Sequence, residues 1–194
     1  MSKIYTMRVA PKVLVFYIIL ATAATIIKLI FAGNIATGGI TALLAISLFS
    51  GVTTQDKKYA MLLPLITLLM SDIAIELLYT LELYPFKGFY ESQWINYLLI
   101  ISVSLIGLFV RKYNTKGLIV GIVAGPLFYF LSSNFLVWMQ NDGLGYSRNF
   151  NGLMQCYIAG IPFLRNSLLS TAVCFPLLLQ VYHYALKQKL ITAL

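Results

Sequence analysis

The apolar run Ala60–Leu81, AMLLPLITLLMSDIAIELLYTL, holds two acids, Asp72 and Glu76, in its interior. A run of this length crosses the roughly 30 Å hydrocarbon core of a bilayer as a helix. A charged side chain at mid-depth costs about 2.5–3.5 kcal/mol on insertion scales. A spacing of four puts both acids on one helical face. That face cannot meet lipid, so it must meet protein, water or a ligand.

The rest of the chain agrees with a membrane setting. It is 60% hydrophobic and only 10% charged, with a mean hydropathy of +0.85, whereas a soluble domain carries about 25% charge. The expected class is all-α: a single polytopic bundle over 1–194. Six spans can be drawn at about 13–32, 35–52, 60–81, 93–110, 117–139 and 164–186. The stretch 151–163 is apolar but too short to cross alone and ends near Pro162; it reads as a short helix or re-entrant piece.

Net charge is +8. The basic residues fall in short loops and no nucleic-acid motif accompanies them, so they set topology rather than bind nucleic acid. One side collects Lys3, Arg8, Lys12, Lys57, Lys58, Arg111, Lys112, Lys116, Lys187 and Lys189; the other has Lys28, Lys87, Arg148 and Arg165. The positive-inside rule then places both termini in the cytoplasm, as expected for a multi-pass protein of a bacterial cytoplasmic membrane. The N-terminus resembles a signal peptide up to Ala21-Thr22-Ala23, but its apolar run continues through Phe31, which favours an uncleaved first span.

This topology sorts the unusual polar residues by depth. Asp72 and Glu76 fall in the middle and outer half of the third span, Asn134 and Trp138 in the outer part of the fifth, Arg165 and Asn166 at the outer start of the sixth, and Lys28 near the outer end of the first. Two readings stay open: the floor of an outward-open pocket, or an internal network that braces the bundle. Above this level lies the loop 140–152, with Asn141, Asp142, Tyr146 and Arg148, able to present donors and an aromatic face. Gly117, Gly121 and Gly125 form a GxxxGxxxG face suited to close helix packing. Trp94, Tyr97, Tyr113, Trp138 and Tyr182 fall near span ends and read as interfacial anchors.

No hydrolytic, nucleotide-binding or zinc motif is present. His183 is the only histidine, and the topology places it and Cys156 on opposite sides, so no nucleophile–base pair forms. Cys156 and Cys174 have no metal-ligand spacing. No enzyme activity, cofactor or metal is expected.

Several strings carry a family resemblance: Asn134-Phe135-Leu136-Val137-Trp138, Tyr146-Ser147-Arg148, Gly152-Leu153, Cys156-Tyr157 and Ile161-Pro162-Phe163-Leu164-Arg165-Asn166. Upstream, Phe49-Ser50-Gly51, Leu63-Pro64 and Ser71-Asp72 fit the same pattern. Over about residues 20–180 the chain resembles an uncharacterised bacterial membrane family assigned only to transport, a domain of unknown function. That family is in turn distantly similar to the S components of energy-coupling-factor (ECF) transporters. The likeness implies six spans, both termini inside, an outward-facing vitamin pocket, and docking on a transmembrane coupling protein with two ATPases.

The expected function is capture of a small polar, vitamin-like solute. Asp72 and Glu76 would pair with substrate donors or with Arg165, and Lys28 would balance their charge. Asn134 and Asn166 would orient the solute by hydrogen bonds. Trp138 and Tyr146 would stack on a ring, and Arg148 would hold an anionic group. The alternatives are a non-catalytic accessory subunit of a larger membrane complex, in which the glycine face and apolar surface do the work, and an ion- or proton-coupled carrier using the acids as a relay.

Overall fold

The computed structural model describes residues 11–32, 37–54, 57–110, 115–140, 145–188 and 190. Six helices run in chain order: α1 (Pro11–Ala32), α2 (Leu43–Thr53), α3 (Lys57–Thr80), α4 (Gln93–Val110), α5 (Thr115–Gln140) and α6 (Phe150–Lys187). No strand occurs among the described residues. Five helices are long and apolar enough to cross a membrane, and α2 is the exception. At 1.5 Å per residue its eleven residues rise about 16 Å.

α2 is the axis of the molecule. Every residue from Leu43 to Gly51 is buried, and the helix packs against α3, α4, α5 and α6. A helix that is apolar all round belongs in such a position. Its contact with α4 is backbone on backbone. A Cβ on Gly51 would lie 2.7 Å from the Leu108 amide nitrogen, and one on Gly107 would lie 2.5 Å from the Leu48 carbonyl oxygen. The glycine face of α5 also turns inward. Gly117 is buried, while Gly121 faces the Val110 side chain and Gly125 that of Leu48.

α1 and α3 run parallel, tied by Thr25 to Ser71 and by Lys28 to Asp72. The segment between them therefore returns from one end of the bundle to the other. It does so as a turn over 37–42 followed by α2, rather than as the 35–52 helix expected from hydropathy. Gly38 and Gly39 begin that stretch, and Gly39 takes φ +87°, which helices exclude.

The other departure is α6. The expected break between 151–163 and 164–186 is absent, and one helix of 38 residues covers both. Asn149 caps it by accepting from the Gly152 amide at 3.0 Å. Pro162 and Pro176 lie inside it, as Pro64 does in α3 and Pro126 in α5. Each removes one backbone hydrogen bond, but none ends its helix. The far end of the bundle closes on aromatic packing: the rings of Phe49 and Tyr182 meet edge-on at 5.6 Å, and the Tyr17 hydroxyl bonds Thr54 at 3.1 Å. Tyr182 is thus a core residue, not an interfacial anchor. Lys12, Arg111, Lys112, Tyr113 and the loop residues Asn141 and Asp142 have side chains outside the described set.

Candidate functional site

At the end of the bundle opposite Tyr182, all six helices border one cavity of about 490 Å³, within the range of small-molecule sites. Asp72 is its best-tied residue, with 1% of its surface exposed. The Lys28 ammonium lies 3.3 Å from Oδ1. The Gln93 amide and the Tyr97 hydroxyl, the latter at 2.9 Å, both donate to Oδ2. The buried carboxylate therefore has a cation and two neutral donors, which a low-dielectric site requires.

The network continues beyond the acid. Asn96 donates through Nδ2 to Gln93 Oε1 at 3.4 Å and to the Tyr90 hydroxyl, and it accepts from the Tyr129 hydroxyl at 3.2 Å. One relay thus joins Lys28 of α1, Asp72 of α3, Gln93 and Asn96 of α4, and Tyr129 of α5. Gln93, Asn96 and Tyr97 fall at spacings of three and four, so one face of the first turn of α4 carries all three. Tyr90 lies just before α4. Desolvation first, and then the Asp72 charge, push its phenol above the ordinary tyrosine range against a smaller opposing pull from Asn96. Its hydroxyl keeps its proton at neutral pH. Phe86, Phe130 and Phe163 supply apolar wall.

Glu76 has a different task from Asp72. Its Oε2 accepts the main-chain amides of Gly88 at 2.9 Å and Phe89 at 3.1 Å, and it is not in the cavity wall. It fastens the α3–α4 connection, residues 81–92, across α3. The crossing is close, since a Cβ on Gly88 would lie 2.7 Å from the Glu76 amide nitrogen. The Tyr84 hydroxyl donates to the Leu29 carbonyl and ties the same connection to α1. Phe86, Lys87, Gly88 and Tyr90 thereby become one side of the cavity. Glu76→Ala should release this strap: hydrogen exchange at Gly88 and Phe89 should quicken at least tenfold, with the α2 amides unchanged. Unchanged protection at both positions would count against the latch.

The remaining predicted residues divide. Lys28, Asp72 and Asn134 border the cavity; Glu76, Trp138, Tyr146, Arg148, Arg165 and Asn166 do not. Asn134 bonds back to the Phe130 carbonyl at 2.9 Å. Asn166 is buried and donates to the Gly38 carbonyl at 2.8 Å, holding the turn before α2. Trp138 donates to the Ser147 carbonyl at 2.9 Å and braces the α5–α6 hairpin. Arg148 and Arg165 are exposed, and among the described residues the ion-pair partner of Asp72 is Lys28 rather than Arg165. The hairpin explains these differences. α5 and α6 continue past the cavity as a pair, with Tyr157 bonded to the Leu131 carbonyl and Cys156 to that of Asn134. Residues expected to converge on a pocket instead fasten one helix to the other. Cys156 and His183 lie on one helix 27 positions apart, a rise of about 40 Å.

Sequence reasoning missed Gln93, Asn96, Tyr129 and the 37–41 turn, and read Tyr97 as an anchor. The signal was present as polar residues on one face at the start of an otherwise apolar span.

A family model matches residues 7–194, nearly the whole chain. The protein belongs to that family, described as a family of unknown function (DUF6580). No curated protein and no solved structure matches it significantly. The family description carries no activity, so the chemistry of this member has to be argued from its own cavity.

Proposed function

We propose that this family member is a membrane-embedded substrate-binding protein, S-component-like in arrangement, which captures a small polar, vitamin-like solute for uptake. The observation that carries the reading is the cavity of about 490 Å³ bordered by all six helices, lined by a charged pair, an amide–tyrosine relay and aromatic rings. Orientation by a few polar groups within apolar walls is the usual design of a small-molecule site. In this proposal the chain crosses the cytoplasmic membrane six times, with α2 and the preceding turn making the second crossing and both termini inside. The cavity then opens outward, and transport is powered by a separate coupling protein with ATPases. The protein performs no chemistry on its solute.

The accessory-subunit alternative draws on α6. Its Ile158, Ile161, Leu169, Val173 and Leu177 are exposed along a helix longer than a bilayer needs. Purification in mild detergent followed by native mass spectrometry separates the two. A small molecule retained at one per chain is the expected result. Stoichiometric protein partners with no bound small molecule would favour the accessory role and overturn the proposal.

A further inference from the structure

The cavity has a sign. Among the described residues, three formally charged side chains border it: Lys28, Asp72 and Lys87. Asp72 is already engaged, with Oδ1 facing Lys28 and Oδ2 accepting from both Gln93 and Tyr97. Lys28 has three N–H groups and one carboxylate contact, and its side chain keeps 22% of its surface accessible. Lys87 stands 5.8 Å from the Tyr79 ring centroid, and among the described residues no carboxylate pairs with it. Glu76, the nearest remaining acid in the sequence of α3, is turned to the Gly88 and Phe89 amides.

The backbone adds to this balance. Leu43 and Leu44, the first residues of α2, border the same cavity; Ala42 offers no side-chain cap there, and the Thr41 hydroxyl accepts from the Leu43 amide at 3.2 Å, leaving the amides that follow. A helix N-terminus carries about half a positive charge. Phe86, Phe130 and Phe163 also line the cavity and suit a flat apolar body, with Asn96 and Ser133 as neutral polar neighbours.

We infer that the cavity takes a small ring compound bearing one anionic group, a carboxylate in the simplest case, with Lys28 as its direct contact. Asp72 is then a positioning residue: it fixes the Lys28 ammonium and the Gln93 amide and does not itself touch the ligand. The anion-holding role moves from Arg148, which is outside the cavity wall, to Lys28. The inference rests on the substrate-binding reading above and narrows its ligand class.

The test uses the full chain in nanodiscs of phosphatidylcholine alone, where no anionic headgroup competes. Thermal shift and binding are measured for matched acid and amide probes: nicotinate and nicotinamide, biotin and biotinamide, indole-3-acetate and indole-3-acetamide. At least one acid should bind about tenfold or more tightly than its amide, as a charge-assisted contact implies. Lys28→Arg should keep that ratio. Lys28→Met alone leaves a buried carboxylate short of its cation and is expected to destabilise the fold, so the charge-balanced double variant Lys28→Met with Asp72→Asn is the decisive one; its ratio should fall to about one. Asp72→Asn alone should weaken amide binding and keep the acid-to-amide ratio at or above its starting value, because the Lys28 ammonium loses its carboxylate partner but stays in the cavity; a ratio that falls would overturn the positioning role. Equal binding of acids and amides, or a ratio that survives in the double variant, overturns the inference, as does stabilisation by added phosphatidylglycerol with no acid adding to it. A neutral molecule co-purifying with the protein overturns the anion assignment and leaves the uptake reading standing. No binding by any of the six probes, together with no co-purified molecule, removes both.

Discussion

Asp72→Ala should abolish the proposed solute binding and uptake while leaving the amount of membrane-inserted protein unchanged or higher. The two effects have opposite signs because they belong to different steps. Removing an acid from mid-span lowers the insertion cost by about 2.5–3.5 kcal/mol. Removing it from the folded bundle takes away the acceptor shared by Lys28, Gln93 and Tyr97. Breaking a buried ion pair from one side costs about 3–5 kcal/mol; the access of Lys28 to the cavity puts this case at or below the low end of that range. A fall in the thermal midpoint, loss of binding by at least a hundredfold, and a full-strength band in the membrane fraction are the three readings expected together. A variant that binds normally would show that the relay is ornamental to the cavity.

Gly51→Val should prevent the bundle from forming. The new side chain would enter the α4 backbone, overlapping the Ser104 carbonyl and lying within 2.7 Å of the Leu108 amide nitrogen and 2.8 Å of the Gly107 Cα. No rotamer change relieves contact with main chain, so α2 and α4 would have to move apart in the most buried part of the protein. Gly125→Ala is the informative control. There the atoms nearest the new Cβ all belong to the Leu48 side chain, the closest being Cδ1 at 3.1 Å, a contact that can shift for about 1–3 kcal/mol. Size-exclusion profiles in detergent should show aggregate for the first variant and a monodisperse peak for the second. A monodisperse Gly51→Val protein with an unchanged thermal midpoint would mean that α2 and α4 are not in register at this contact.

Hydropathy alone locates the long helices, because a run such as Gln93–Val110 needs no partner to be recognised. It misplaces α2 because Thr37 to Thr41 are too polar and glycine-rich to continue a helix, while the residues after them are apolar enough to hide the break. It misses the unity of α6 because a proline is read as an end, although Pro162 is followed by the same helix that precedes it. For the site, position along the bundle is legible in the sequence and direction is not. Lys28, Asp72, Asn134 and Asn166 do gather toward one end of the bundle, but which of them faces the cavity depends on helix rotation. Glu76 shows the difference: it shares a helical face with Asp72, yet its partners are two backbone amides in a connection whose path no spacing reveals.

The enclosure of α2 has a consequence for how the chain is made. Its eleven residues are too few to settle across lipid, and the 37–42 turn before it carries backbone groups that hydrocarbon cannot satisfy. The walls that shelter it, α3, α4, α5 and α6, all follow α2 in the chain. In the proposed six-span arrangement the segment would therefore have to wait in a polar or chaperoned environment until the later helices arrive. On that arrangement, the helix that organises the finished bundle would be among the last to reach its final position.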